Sequence, residues 1–161
     1  MKADYKTNVM RILDKAGVEY VPHSFAVKNA VSGTEAARLL GVDEKKVFKT
    51  LVTVGKTGKN YVFVIPVAQE LDLKKAAAAV GEKNIEMIKS AQLLPTTGYV
   101  HGGCSPVGMK KSFETVVHSS FEECDTVIFS AGKIGYHVEL SPQELKKVID
   151  YKAADIIAAA E

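Results

Sequence analysis

The sequence predicts a single α/β domain, with helices packed outside a mixed or antiparallel sheet. Three observations predict it. Alternating apolar segments are joined by short glycine-bearing turns, in "VFKTLVTV–GKTGKN–YVFVIPV" and again in "DTVIFS–AGKIG–YHVEL", and this is the pattern of paired neighbouring strands. Helical segments with cap residues fall between and around those strands. The 161 residues are 47% hydrophobic and 25% charged, enough to bury one core. No Pro/Ser-rich linker, repeat or low-complexity tract divides the chain, so residues 1–161 are read as one domain.

Each element follows from local chemistry. Residues 4–16 read as a helix, with Val9, Ile12, Leu13 and Ala16 on one side and Gly17 as its stop. "VEYVPHSF" reads as a strand, with Pro22 at an edge or bulge. "SGTEAARLLG" places Ser32 and Glu35 at capping-box spacing and ends at Gly41, so a short helix is expected. The central hairpin follows. "LDLKKAAAAVG" reads as a helix ending at Gly81, and "SAQLL" as a helical turn before Pro95. "TTGYVHGGCSPVGMKK" has four glycines and a proline and reads as loop. "FETVVHS", "DTVIFS" and "YHVEL" read as strands. Ser141, Pro142 and Glu144 supply N-cap, N1 and N3 signals for a last helix, and Ala158–Ala160 read as helical.

Composition excludes several function classes. The net charge is +2, too small for a protein that binds nucleic acid through charge alone. The only arginines are Arg11 and Arg38, so the cations are mostly lysines, which contact phosphate as mobile point charges. Cys104 and Cys124 make no disulfide framework and have no metal-ligand spacing. The N-terminus "MKADYKTNVM" has no apolar stretch, and no segment reaches membrane-spanning length. A reducing cytoplasm and no membrane association are therefore expected. The four histidines are not at metal spacing, and there is no GxSxG, Walker A, GxGxxG or HExxH. No metal, cofactor or conventional triad is expected.

Three stretches could carry chemistry. Lys49 projects from the middle of an apolar strand, on one face with Val47 and Leu51. It is either an edge-strand lysine that discourages aggregation or a cleft lysine that holds an anion or acts as an amine. "GYVHGGCSPVG" could bring backbone N–H groups close to a ligand, or be a tight surface loop. Cys104 within it, three residues from His101, is either a nucleophile or a small buried side chain. "FSAGKIG" could hold a carbonyl or a sugar hydroxyl with Ser130 and the Gly132 amide, or be hairpin chemistry alone. His118 and His137 fall in strands and read as structural.

Together, "VFKTLV", "ELDLKKAA", "TGYVHGGCSPVGMKK" and "SAGKIGYHVELSPQELKKV", in this order and spacing, resemble the YbaK/EbsC family of aminoacyl-tRNA deacylases, most closely its Cys-tRNA(Pro) branch. The resemblance runs from about residue 5 to 150. It implies a mixed, barrel-like sheet flanked by helices, and removal of wrongly attached amino acids from tRNA in trans. It places the critical lysine on Lys49, followed by Thr50, the glycine loop on Gly102 and Gly103, and the substrate-binding turn on Ser130, Ala131 and Gly132. It places Phe25 where an aromatic, usually Tyr, lines the pocket. The hydroxyl is absent from Phe25, Ala131 replaces a glycine, and His137 replaces an acid or small polar residue.

The resemblance also implies that Lys49 anchors the tRNA 3′ end by a charge-assisted contact. The substrate's own thiol would attack the ester, with backbone amides near Gly102, Gly103 and Gly132 stabilising the oxyanion. Prolyl-tRNA synthetase is the expected partner and a monomer the expected state. The same chemistry on alanyl or other small aminoacyl esters, a non-catalytic tRNA- or synthetase-binding module, and a Cys104-dependent hydrolase are the alternatives.

Overall fold

The computed structural model describes residues 5–159. Helix α1 (Asn8–Lys15) begins at Thr7, whose hydroxyl accepts from the Met10 N–H, and it buries Val9, Met10 and Leu13. Strand β1 (Val21–Ser24) leads to α2 (Gly33–Leu40), capped by Ser32 and closed by Gly41 in the left-handed conformation. The hairpin is β2 (Phe48–Gly55) and β3 (Asn60–Pro66). Helix α3 (Leu73–Val80) is capped by Asp72 and ends at Gly81. Then come β4 (Ile85–Met87), α4 (Ser90–Thr97), β5 (Glu114–His118), β6 (Val127–Lys133) and β7 (Tyr136–Leu140). Helix α5 (Pro142–Leu145) and β8 (Lys152–Ala154) complete the order.

The strands form two sheets. Five run in the order β4-β2-β3-β5-β8 and three in the order β1-β7-β6. Antiparallel pairs join β4 to β2 and β2 to β3, whereas β3 pairs with β5, and β5 with β8, in parallel. The sheet is thus mixed, as expected. The backbones of the two sheets are linked by one parallel bridge, Val47 to Ile128, and the sheets do not close into a barrel.

Alternation sorts the side chains. Phe48 and Val52 of β2 and Val62 and Val64 of β3 face the three-stranded sheet, where they pack with Val127, Phe129, Val138 and α1 in the main core. Leu51, Tyr61, Phe63 and Ile65 face α3 in a second cluster.

Four details differ from the sequence expectation. Helix α1 is shorter than 4–16, and residue 4 lies outside the described residues. Helix α4 continues through Pro95, because Thr97 Oγ1 donates to the Leu93 carbonyl and the Gly98 N–H to that of Leu94, which holds its last turn. Strands β4 and β8 were not expected. Ala158 and Ala159 are not helical; their segment is tied down instead by the Ala158 N–H on the Glu70 carbonyl, and Ala160 lies outside the described residues.

Candidate active site

The cavity opens where β2 loses a neighbour. Strand β4 pairs only with Thr53–Gly55, so the first half of β2 has β3 on one side and a free edge on the other. The Val47–Ile128 bridge pinches the sheets together just before this stretch. Lys49, Thr50 and Leu51 therefore line a cavity of about 360 Å³, within the range of small-molecule sites. Its other walls are the start of α2 (Val31 to Thr34), the glycine loop (His101, Gly102, Cys104) and the β6–β7 region (Ser130, Ile134, Gly135, His137), with Phe25 beside them.

The structure brings together Phe25, Lys49, Thr50, Gly102 and Ser130. Gly103 and Gly132 are not part of the lining. Their N–H groups are also engaged. Gly103 donates to the Val100 carbonyl at 3.0 Å and Gly132 to Ser130 Oγ at 3.1 Å. These two amides are therefore not the free oxyanion donors expected of them. Both glycines have a packing role: a Cβ on Gly132 would lie 2.9 Å from the Tyr99 ring, and one on Gly103 3.2 Å from the Ile134 nitrogen. Gly102 has φ +86°, and a Cβ there would lie 2.5 Å from that of Ala30, so glycine is what lets this loop approach residue 30.

Electrostatics make the cavity a candidate anion site. Lys49 is half-buried and has no hydrogen-bond or ion-pair partner among the described residues. Helix α2 points its N-terminus at the same space. Ser32 Oγ caps the Glu35 N–H at 3.1 Å, which leaves the first-turn amides of Gly33 and Thr34 without an intrahelical acceptor. A lysine and a helix N-terminus on one cavity favour an anion.

Two buried polar atoms of lining residues, Thr50 Oγ1 and His137 Nδ1, have no hydrogen-bond partner among the described residues. An unsatisfied buried polar atom costs about 1–3 kcal/mol, and such atoms in a cavity wall are groups ready for a ligand. His137 is 9% exposed. Burial, with a lesser contribution from His23, pushes its pKa down to about 4, so it is a neutral imidazole at pH 7. Its ring centroid lies 5.6 Å from that of Phe25. His137 thus lines the candidate site as well as sitting in a strand; its strand alternation alone does not distinguish it from a core histidine, and the register opposite Ser130 places it here.

Behind His137, Glu139 on the same strand face fixes the wall. Its carboxylate accepts from His23 Nε2 at 2.8 Å, Lys46 Nζ at 2.8 Å and Thr126 Oγ1 at 2.5 Å. Cys104 offers no nucleophile: burial pushes its thiol up to about 12, which leaves it protonated. No group of His, Cys, Asp and Glu among the described residues could hold a metal ion, and no helix among them is long and apolar enough to cross a membrane.

The family model for the aminoacyl-tRNA editing domain matches residues 27–148. The chain is 42% identical over 156 residues to a protein of Enterococcus faecalis named as a proposed Cys-tRNA(Pro)/Cys-tRNA(Cys) deacylase, EbsC, covering 96% of this chain and 95% of that one. It is 28% identical over 130 residues to the proline–tRNA ligase of Shouchella clausii, covering 79% of this chain but 22% of the ligase. A solved structure described as a proposed trans-editing enzyme for prolyl-tRNA synthetase superposes with a TM-score of 0.81 at 23% identity, over 96% of this chain and 100% of that one; it shows the shared fold. The chain belongs to the aminoacyl-tRNA editing domain family, as an aminoacyl-tRNA deacylase of the YbaK/EbsC type.

Proposed function

We propose that this protein deacylates mischarged tRNA in trans, with cysteine on tRNA(Pro) as its main substrate. The observation that carries the reading is the unpartnered Lys49 in a cavity whose wall also holds the unsatisfied Thr50 Oγ1 and His137 Nδ1. Lys49 and the N-terminus of α2 hold the phosphate of the terminal nucleotide. Thr50, Ser130 and His137 face the ester and the amino acid. Phe25, Val47, Leu51, Val67 and Ile134 give the remaining wall an apolar character suited to a small side chain.

Cys104, the one cysteine lining the cavity among the described residues, is protonated, and on this reading the attacking group comes from the substrate or from water. For a cysteinyl ester, the substrate sulfur attacks the carbonyl carbon as its proton leaves. The bond to the ribose oxygen breaks, that oxygen takes up a proton, and a cyclic thioester is released. The protein's contribution is to position the thiol and the ester. Of the three glycine amides considered, Gly102's is the one without a protein acceptor among the described residues, and it is the amide left for the developing oxyanion.

Synthetases reject near-isosteric amino acids incompletely, so a second hydrolytic site has a purpose. Prolyl-tRNA synthetase is the upstream source of the substrate on this reading. The test is release of amino acid from tRNA(Pro) charged with cysteine, alanine or proline, by wild type and Lys49→Ala. Cysteine release lost in Lys49→Ala, with the thermal midpoint unchanged, is the expected result. Preferential release of alanine would move the substrate, and undiminished release by Lys49→Ala would remove the anchoring role.

A further inference from the structure

A second concavity of about 600 Å³ lies between α1 and the edge strand β1, lined by Tyr5, Lys6, Met10, Asp14, Tyr20 and Tyr136 among others. It adjoins the candidate active site. Ser24 lines the groove and the next residue, Phe25, the cavity; Tyr136 lines the groove and His137 the cavity. The Phe25 N–H donates to the Gly135 carbonyl at 3.0 Å and closes the short boundary between them. Strand β1 is outermost in its sheet and carries Pro22, so nothing extends the sheet across this boundary.

The groove has the side chains of a nucleobase platform. Tyr5 is 43% exposed, and its ring centroid lies 4.9 Å from that of Tyr136, tilted by 42°. Lys133 Nζ stands 5.0 Å from the centre of the Tyr5 ring and 5.9 Å from that of Tyr136, and it donates to the Tyr5 hydroxyl at 3.2 Å. Lys133 has no acidic partner among the described residues. Lys6, in contrast, pairs with Asp14, and Asp14 and Glu19 both line the floor. With Lys6 neutralised by Asp14, that part of the groove offers a phosphate chain no free lysine, and the Glu19 carboxylate opposes one. Uncharged bases stacked on tyrosine, with their phosphates directed towards Lys133, would not meet that opposition.

We infer that this groove binds the unpaired nucleotides that precede the terminal adenosine of the tRNA, their bases stacking on Tyr5 and Tyr136 beside Lys133. The inference rests on the proposed deacylation of tRNA in the neighbouring cavity. It assigns the two concavities to two parts of one strand: aminoacyl ester and terminal phosphate in the cavity, preceding bases in the groove.

The test compares binding of two probes, the uncharged trinucleotide 5′-CCA-3′ and adenosine 5′-monophosphate, by calorimetry. The proteins are wild type, Tyr5→Ala, Tyr5→Phe, Lys133→Ala and Lys49→Ala. Tyr5 is exposed, so its substitution leaves the core in place. CCA should bind wild type more tightly than the mononucleotide. Tyr5→Ala should weaken CCA by about five-fold or more, the lower end of what one stacked base contributes. The mononucleotide should be unaffected, and Tyr5→Phe should restore CCA binding. Lys133→Ala should also weaken CCA selectively. If CCA and the mononucleotide bind alike, both weakened by Lys49→Ala and neither by Tyr5→Ala, the groove inference is wrong while the cavity reading stands. If Lys49→Ala weakens neither, or neither probe binds, the cavity reading fails and the groove inference fails with it.

Discussion

Replacing Glu139 by glutamine removes one charge that three parts of the chain share. Burial alone would raise the pKa of this carboxyl; hydrogen bonds from Lys46, Thr126 and His23 overcome it and hold the value down at about 2, against 4.5 for an ordinary glutamate. The difference of roughly 2.5 pH units corresponds to about 3 kcal/mol of stability at pH 7. The side chain is 18% exposed, so solvent screening reduces this only modestly. Glutamine keeps the shape but loses the ion pair with Lys46 and leaves that half-buried ammonium uncompensated. The sign follows from a lowered folded-state pKa. The contribution is full above the unfolded value and is lost as pH falls towards 2, with roughly half remaining at pH 3. Urea denaturation of wild type and Glu139→Gln across pH 3 to 7 measures it. The expected gap is about 3 kcal/mol at pH 7, shrinking as the carboxyl of the unfolded wild-type chain takes up its proton while the folded one stays ionised. A gap that stays constant with pH, or is absent at pH 7, would refute the ionic account of this cluster.

Cys104→Ala should leave kcat/KM for deacylation within about two-fold of wild type, because the buried thiol is protonated at pH 7; a loss of several orders of magnitude would reinstate it as a nucleophile. Gly102→Ala should destabilise the protein by roughly 1–3 kcal/mol, from the left-handed backbone and the contact with Ala30. It should also lower deacylation by displacing the loop, as denaturation midpoints and initial rates on cysteine-charged tRNA would show. Unchanged stability would mean that the loop yields without cost.

Local chemistry made most of the fold legible. The caps at Ser32, Asp72 and Ser141 act through their own side chains on N–H groups two or three residues ahead, so their signal is complete within a short window. Strands β4 and β8 had no such signal. Each has three residues, and "KAA" has helical composition; β8 exists because Val116–His118 offer a parallel edge to Lys152–Ala154. The site divides in the same way. Lys49 and Gly102 stood out because each breaks a local rule. His137 breaks none: it continues the alternation of its strand, and its place in the cavity comes from neighbours distant in sequence, Phe25 and Ser130.

The two readings of Lys49 drawn from sequence are compatible with one physical situation. An edge lysine is tolerated where a strand has no neighbour, because the ammonium reaches water and the free backbone edge needs protection from further pairing. Half of β2 is such an edge, since β4 covers only Thr53–Gly55 and the second sheet bridges this end of the strand through its backbone at Val47. The same missing neighbour opens the space between the sheets into which a ligand fits. A fully paired β2 would have no cavity beside Lys49, and burial without a partner would then expel the charge. The unfilled edge therefore both permits the lysine and opens the cavity that Lys49 lines. The unsatisfied Thr50 Oγ1 belongs to the same logic: it follows Lys49 on that half of β2 and lines the space where a second neighbour is lacking.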